Sequence, residues 1–547
     1  MSNDFKKVLV KDDRLMVSDS VSYAVQKGGQ NVVCAPIPAL SLSNSSLTFN
    51  IQVPSEQTVV DRRLVWAQTI SVSFQASVSD LVYGTDVCLA PFPSHQLCST
   101  IQATVNNNTT SVNIRDILPA LLKMEEGVEL QRFSGTTPTL SDSYYSAIGG
   151  VGDVNNVSGG FNVYAGATMP RGAFFGYPVD KGVPVGVTMT RDATPTSSPF
   201  TYTVKWSTAE PFICPPFLWG TQLSNTSGIY GVQNMTLLCN FSNGNRAIRF
   251  ISSKAQTAYT GTPVTIIKPE SAKMLLNYLT PHPSDLMPAR NVVPYMEYPR
   301  YFSSTSTPIT SGNPAQSITS NTYNLNQIPD KLIIFARVKQ SDQTPSNNDT
   351  FLSIQGISIN FNNNAGILSS ASTADLYRYS VEAGNNQSWI EWCGNCYDGT
   401  GVGQPGGGVA PTAVATVGSV LALDFGRHIQ LIEDYYAPGS LGNFQIQFQL
   451  DVVNQSGATI TPELVLITVN SGVFVTERGQ SSVYTGILTK QDVLDASQQD
   501  PFSIAHVTRK VGAGMLDRGK ALPKHFGGKH KMDYVESVQG GLSKRLM

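Results

Sequence analysis

Charged residues are scarce in this 547-residue chain, at 14%, and its apolar stretches are short. No run approaches the roughly 20 apolar residues needed to cross a bilayer, and the charged N-terminal stretch lacks the apolar core of a signal peptide. These features predict synthesis in a cytosol-like compartment. The formal net charge of -2 gives the whole chain no signal for nucleic-acid binding.

Cysteine is also sparse: seven residues, an odd number, are spread along the chain, which argues against a disulfide scaffold. Cys393 and Cys396 form a CxxC motif. A structural zinc site would need a second pair of ligands, and a thioredoxin-type site would need a βαβ setting. We interpret the two as loop or core cysteines, and we expect no metal site and no cofactor.

Catalytic motifs are missing from the sequence as well. It contains no HExxH and no GxSxG, and the glycine-rich stretch 399–412 lacks the Lys-Ser/Thr of a phosphate-binding loop. The acidic pairs Glu125–Glu126 and Glu433–Asp434 would serve a glycosidase only if the fold placed two carboxylates across a cleft. We therefore expect no catalytic residues and a protein that is not an enzyme.

The chain does contain many short runs of β-forming residues between loops rich in Gly, Asn, Ser and Thr. In SLTFNIQVP, Leu47, Phe49, Ile51 and Val53 alternate with polar residues, the period of a strand with one buried face. One set of runs lies within 46–252. A second set comprises KLIIFARVKQ, FLSIQGISINFNN, SWIEW, GSVLALDFG and GNFQIQFQLDVV. Two sets predict an all-β protein with two β-sandwiches side by side.

Short helices are predicted between the strands. They are expected over Ile114–Met124, over Thr373–Tyr379, over Asp19–Gln26 and in two turns within 268–279, where Ser271 lies near the cap. After Gly472 the pattern turns irregular, with a helix-like stretch over 486–497.

These elements divide the chain into five parts. We expect an N-terminal arm over 1–30 and a first sandwich over 31–270, with a long loop insertion at about 134–200. A connector over 271–325, a second sandwich over 326–478, and a C-terminal helix and basic tail over 479–547 follow. The repeated prolines of the connector favour extended chain and mark it as a boundary.

The C-terminal tail is basic although the body is acidic. From residue 501 onward only Asp517, Asp533 and Glu536 oppose nine cationic side chains. The nine are Arg509, Lys510, Arg518, Lys520, Lys524, Lys529, Lys531, Lys544 and Arg545. Such residues, spaced by Gly and Ser, neutralise phosphates without sequence preference. The same composition also suits a solvated terminus or docking onto a neighbouring subunit.

The stretches that resemble a known family are SLTFNIQVPSEQTVVDRR, KLIIFARV and FLSIQGISINFNNNAGILSSASTADLYRYS, followed by SWIEW and GSVLALDFGRHIQL. With DYYAPGSLGNFQIQFQLDVVN, they resemble the double jelly-roll major capsid proteins of virophages and polinton-like viruses. The resemblance covers most of 30–475.

This resemblance implies two consecutive eight-stranded jelly rolls with short loop helices. It also implies a homotrimer of pseudo-hexagonal outline that tiles an icosahedral shell around double-stranded DNA, next to neighbouring capsomers, pentons and minor capsid proteins. The protein would then reside in the virion after synthesis in the host cytoplasm, with the nine basic tail residues as candidate contacts to DNA or the inner shell. The alternative is a two-domain β-sandwich protein that binds or processes carbohydrate, which the Trp, Tyr and Asn content of the loops would suit.

Overall fold

The computed structural model describes residues 6–8, 23–25, 31–139, 174, 179–180, 183–184, 186–220, 228–250, 252–280, 290–348, 350–397, 413–431, 437–456 and 458–486. The nine basic residues of the tail, the stretch 399–412, Glu433–Asp434 and nearly all of the helix-like stretch 486–497 lie outside these ranges. So does most of the insertion at 134–200.

Seventeen strands precede residue 281 in the described ranges. They are β1 Lys6–Val8, β2 Tyr23–Val25, β3 Asn31–Pro38, β4 Ser41–Leu42, β5 Ser46–Gln52, β6 Val59–Val60, β7 Val65–Ala76, β8 Val87–Leu89, β9 Cys98–Val105, β10 Asn108–Val112, β11 Val179–Asp180, β12 Val183–Pro184, β13 Val187–Arg191, β14 Phe200–Pro211, β15 Asn234–Phe241, β16 Ile248–Phe250 and β17 Thr265–Thr280.

Thirteen strands follow residue 289 in the described ranges. They are β18 Arg290–Glu297, β19 Arg300–Ser304, β20 Gln316–Thr319, β21 Tyr323–Gln327, β22 Lys331–Val338, β23 Ser353–Phe361, β24 Asn364–Ile367, β25 Asn395–Tyr397, β26 Ala413–Ala415, β27 Leu421–Asp424, β28 Leu441–Val453, β29 Pro462–Glu477 and β30 Gln480–Thr485.

Helices in the described ranges are short. They are α1 Pro93–Gln96, α2 Ile114–Met124, α3 Gly127–Gln131, α4 Ser253–Ala258, α5 Thr373–Glu382 and α6 Trp389–Cys393, with single 3-10 turns at Gly244–Arg246 and Gln340–Asp342. The helices predicted over Ile114–Met124 and Thr373–Tyr379 are confirmed, the second running three residues further. Among the helices that the structure describes, none has the length and apolarity to cross a lipid bilayer.

Two sheets form the first jelly roll. One has the order β13-β14-β7-β17-β3, with β6 on β17, and the other has the order β10-β9-β15-β5-β4. Their facing side chains alternate along each strand, as in β5, where Leu47, Phe49 and Ile51 are fully buried. The predicted period-two strand is therefore confirmed, and its apolar face lies in the core.

Two further sheets form the second jelly roll. One joins β18 and β19 to β29, and β29 to β22, β27 and β30, and the other joins β20 and β21 to β28, and β28 to β23 and β24. Leu332 and Ile334 of the first sheet and Phe448 and Leu450 of the second belong to one apolar core. The two predicted β-sandwiches are thus confirmed, and the chain is an all-β double jelly roll, as the family resemblance implied.

The prediction of helical turns within 268–279 is wrong. This segment lies in β17, which pairs with β7 on one side and with β3 on the other. Met274 and Leu276 point into the core at a period of two, and pairing on both edges outweighs the local preference for helix. The described part of 271–325 is likewise built into sheets, because β18 and β19 pair with β29. The five-part division of the chain stays a prediction.

Three other local predictions are wrong. SWIEW is not a strand: Ser388 caps α6, its side chain accepting the Glu391 backbone N–H at 3.2 Å. Residues Tyr23–Val25, expected to be helical, form β2 and pair in parallel with β1. The described stretch from Gly472 to Thr485, expected to be irregular, is regular, since β29 continues and pairs with β30.

Candidate functional site: the contact between the two rolls

Strand β22 is buried on both faces, and this brings the two rolls together. Leu332 and Ile334 pack in the second core, whereas Ile333 and Phe335 belong to the apolar cluster of the first roll. The two faces of strand β29 also pack in different cores: Val465 and Ile467 belong to the cluster of the first roll, and Leu464 and Leu466 to that of the second. The outer face of one sheet of the second roll therefore completes the core of the first.

Helix α2 is the first-roll element that meets this face. Its apolar side chains, among them Ile117 and Leu118, are fully buried in the first core. Two charged residues, Asp116 and Lys123, are also buried and lie seven positions apart, which places them on one side of a helix. Both reach across to the second roll.

Asp116 lies at the centre of a buried ion cluster. Its carboxylate accepts hydrogen bonds from Arg337 of β22 and from Arg300 of β19. Arg337 also donates to Glu463 of β29 at 2.8 Å, and Arg115 lies 3.5 Å from Asp116. Burial raises the pKa of Asp116, but the charges of Arg337, Arg115 and Arg300 outweigh it and lower the pKa to about 2. The carboxylate is therefore ionised at neutral pH.

A second contact lies at the other end of α2. Lys123 forms an ion pair with Glu391 of α6, and both side chains are largely buried. Asn386 donates its backbone N–H to the Lys123 carbonyl at 2.8 Å and its side-chain amide to the Met124 carbonyl at 2.9 Å. The last carbonyls of α2, which no helix can satisfy internally, are thus capped by the other roll.

Loops add further polar contacts between the rolls. The Asn348 amide donates to the Asn245 carbonyl at 2.7 Å, and the Asn245 amide donates to the Gln343 carbonyl at 2.8 Å. Arg62 donates to the Pro294 carbonyl at 3.0 Å, and burial lowers its pKa to about 10. Polar and apolar contacts together fix how the rolls lie against each other.

Inside the first roll, Ser94, His95 and Glu210 form a fully buried group. His95 Nε2 accepts the Ile213 backbone N–H at 3.2 Å, so the ring proton lies on Nδ1 and is donated to Glu210 at 2.6 Å. Ser94 Oγ is 3.0 Å from Thr208 Oγ1. Because both ring nitrogens are engaged, His95 has no lone pair left to activate Ser94. This group supports the core.

The other residues singled out in the sequence are placed as follows. Cys393 ends α6 half-buried, and burial raises the pKa of its thiol. Among the side chains that the structure describes, no group of three or more His, Cys, Asp or Glu could hold a metal ion. Glu125 is buried whereas Glu126 is exposed. Of the tryptophans, Trp66, Trp206, Trp219 and Trp392 are core residues, and Trp389 is 42% exposed.

The ion cluster was not predicted from the sequence. Its signal was nevertheless there: α2 is apolar on almost every side, and charges in such a helix need partners from another element. The continuous apolar run of KLIIFARV, which lacks the alternation of a half-buried strand, was a second signal.

Comparison with known proteins identifies the family. The model of the Sputnik virophage major capsid protein first domain matches residues 3–279, and that of the major capsid protein V20 C-terminal domain matches residues 298–472. The chain belongs to the virophage major capsid protein family. The putative capsid protein V20 of Sputnik virophage is 30% identical over 540 residues, which cover 94% of this chain and 85% of that protein.

Solved structures of virophage capsids have the same fold. A chain of the Sputnik virophage structure, determined by cryo-EM, superposes on this capsid protein with a TM-score of 0.72 at 26% identity, covering 92% of this chain and 97% of the other. The mavirus major capsid protein gives a TM-score of 0.66 at 13% identity, covering 92% and 100%. The family is a structural one, and these matches favour the capsid hypothesis over the carbohydrate alternative.

Proposed function

We propose that three copies of this capsid protein form a capsomer of pseudo-hexagonal outline, and that capsomers tile an icosahedral shell around double-stranded DNA. The observation that carries the proposal is the contact between the rolls, which joins two similar jelly rolls into one unit. Three such units around a threefold axis place six jelly rolls in a ring, which gives the pseudo-hexagonal outline. Closed cyclic symmetry is the usual arrangement of identical chains. No catalytic step is part of this function.

Exposed apolar side chains support contacts between copies. Val32, Val33 and Leu40, on and just after β3, are 56–70% exposed at the edge of a first-roll sheet. Val292 and Met296 of β18 are exposed on the second roll. Exposed apolar groups that cluster at sheet edges mark interaction surfaces.

The oligomeric state of purified protein tests the trimer. Analytical ultracentrifugation should show a species of three times the 58.9 kDa chain mass, and electron microscopy should show capsomers or shells under assembly conditions. Monomers alone under every condition would overturn the proposal.

We further propose that the basic tail, 501–547, faces the shell interior and contacts DNA or a minor capsid or penton protein. Replacing its nine Lys and Arg residues with Gln should leave trimers intact. DNA retention should fall, and so should the salt dependence of DNA binding, because each phosphate contact releases counterions. Labelling of the tail from outside intact particles would contradict an interior location, and unchanged DNA retention would favour a merely solvated terminus.

The insertion at 134–200 and the loop 399–412 are proposed to face outward, because long polar connections run over protein surfaces. Limited proteolysis of intact particles should cut first in one of these two stretches. Full protection of both would refute this orientation. Production in the host cytoplasm and location in the virion complete the proposal.

A further inference from the structure

A groove of about 340 Å³ lies between the two sheets of the second roll. One wall comes from β18, β19 and β29, and the other comes from β21 and β28. The lining residues that matter here are Tyr301, Leu325, Gln327, Leu441, Asn470 and Thr485. This volume is at the lower end of the range for binding pockets.

Two buried side-chain amides line the groove, and one atom of each has no hydrogen-bond partner among the described residues. Gln327 is 6% exposed and Asn470 is 7% exposed, and the unpaired atoms are Gln327 Nε2 and Asn470 Oδ1. The first is a donor and the second an acceptor. Buried polar groups are nearly always paired with protein or ordered water, so these two atoms are open to a ligand that offers one acceptor and one donor. A peptide backbone offers both, as C=O and N–H.

The chain itself runs into this groove. Thr485, the last residue of β30, lines it, and Gly486 is buried with a left-handed φ of 63°. A Cβ atom at Gly486 would lie 2.6 Å from Gln327 Oε1 and 2.6 Å from Leu441, so the backbone at this point packs directly on the Gln327 amide. Each following residue advances at most about 3.6 Å, which keeps the next four residues within reach of the groove.

We propose that the groove binds the backbone of the segment directly after Gly486, residues 487–490, of the same chain. A C=O of this segment accepts from Gln327 Nε2, and an N–H donates to Asn470 Oδ1. Because the segment is tethered at Gly486, its effective concentration at the groove is in the millimolar range or above. The basic tail would then start from a fixed point on the second roll. Shell formation does not require this site.

Amide hydrogen exchange of the full-length protein tests the proposal. In the wild type, amides within 487–490 should exchange at least ten-fold more slowly than in an unstructured peptide of the same sequence. Combining Gln327→Met with Asn470→Leu removes both polar groups at similar size and should return the rates to within two-fold of that peptide. The matched control is Gln449→Met, at an exposed position on β28, which should leave the exchange rates of 487–490 unchanged.

Two results would overturn the proposal: exchange of 487–490 at the free rate in the wild type, or protection that persists in the double variant. The exchange of β22 and β28 amides, recorded in the same experiment, shows whether the double variant is folded. If it is not folded, cross-linking decides instead.

Cross-linking also identifies which copy supplies the segment. A photo-reactive residue in place of Asn326, which lines the groove, should cross-link to 487–490 within one chain. The same residue in place of Asn324, exposed on the same strand but outside the groove, should not. Cross-links between two chains would show that residues 487–490 of a second copy occupy the groove, contrary to the proposal. If no cross-link to 487–490 formed, the proposal that this segment occupies the groove would be wrong.

Discussion

Replacing Asp116 with asparagine tests the ion cluster between the rolls. Asparagine keeps the shape of the side chain but removes the charge that Arg300 and Arg337 share. Removing one member of a buried ion pair costs about 3–5 kcal/mol, because the other charge stays buried without its partner. Glu463 still neutralises Arg337 in part. We therefore expect the free energy of unfolding to fall by about 3 kcal/mol at pH 7.

The pKa of Asp116 gives a second estimate. It is about 2 in the folded protein, against 3.8 for an unperturbed aspartate. At about 1.4 kcal/mol per pKa unit, the difference corresponds to about 2.5 kcal/mol. Because the folded pKa is the lower one, this stabilisation is fully present above about pH 4 and is lost as the pH falls towards 2. The difference between wild type and variant should therefore shrink over that window.

Urea denaturation followed by tryptophan fluorescence, at pH 7 and in steps from pH 4 to 2, measures both effects. Glu270→Gln is the control, since Glu270 pairs with Lys205 on the surface with both side chains about half exposed. It should change the free energy of unfolding by less than about 0.5 kcal/mol. A similarly small effect of Asp116→Asn, or a difference that stays constant from pH 4 to 2, would refute the reasoning.

Three further predictions, made with five substitutions, concern packing inside the protein. The Ser94 backbone N–H and the His95 ring both donate to the Glu210 carboxylate, and Glu210→Gln puts an amide in its place. This substitution should lower the free energy of unfolding by about 2 kcal/mol. An unchanged urea midpoint would show that the carboxylate is not needed for stability. Gly418 and Gly261 both have positive φ, but only at Gly418 would a Cβ atom overlap a carbonyl oxygen. Gly418→Ala should thus cost at least about 2 kcal/mol more than Gly261→Ala in the same assay, and equal costs would contradict the packing. Trp392→Ala should cost about 3–5 kcal/mol and Trp389→Ala less than about 1 kcal/mol, because only the first is fully buried; the reverse order in thermal melting would be incompatible with the structure.

The strands of the cores could be predicted because burial of one face leaves a simple trace. In β5 and β28, apolar residues alternate with polar ones, and period two is unambiguous over seven or more residues. Helix α5 was predictable for a similar local reason: Ser372 and Asp375 form a capping box, which defines its start within four residues.

The errors arose where partners distant in sequence decide the local structure. The segment of β17 contains residues that suit a helix, yet strands at 31–38 and 65–76 hold it extended. SWIEW has β-forming aromatic residues, but Trp392 enters the core as part of a single helical turn and packs against Tyr377. Neither the pairing of a strand with distant strands nor the packing of a helical turn into the core can be detected within a window of ten residues.

The contact between the rolls was harder still to predict, because each half of it looks like ordinary core. Ile333 and Phe335 follow the same apolar run as Leu332 and Ile334, and the sequence does not say that the two pairs face different cores. Asp116 lies more than 180 residues away in sequence from both Arg300 and Arg337. Only the fold brings Asp116 to them.

The sharing of one sheet between two cores bears on how a shell of such chains could curve. Ile333, Phe335, Val465 and Ile467 are fully or almost fully buried against the first roll, so a hinge motion between the rolls would expose them to water. Such a motion would also separate Asp116 from Arg337 and leave charges buried without partners, the most costly kind of defect in a protein interior. Closely packed interfaces of this kind have discrete arrangements and do not bend continuously. In a shell built from these chains, curvature would therefore be set at contacts between chains, because the two rolls of each chain move as one rigid body.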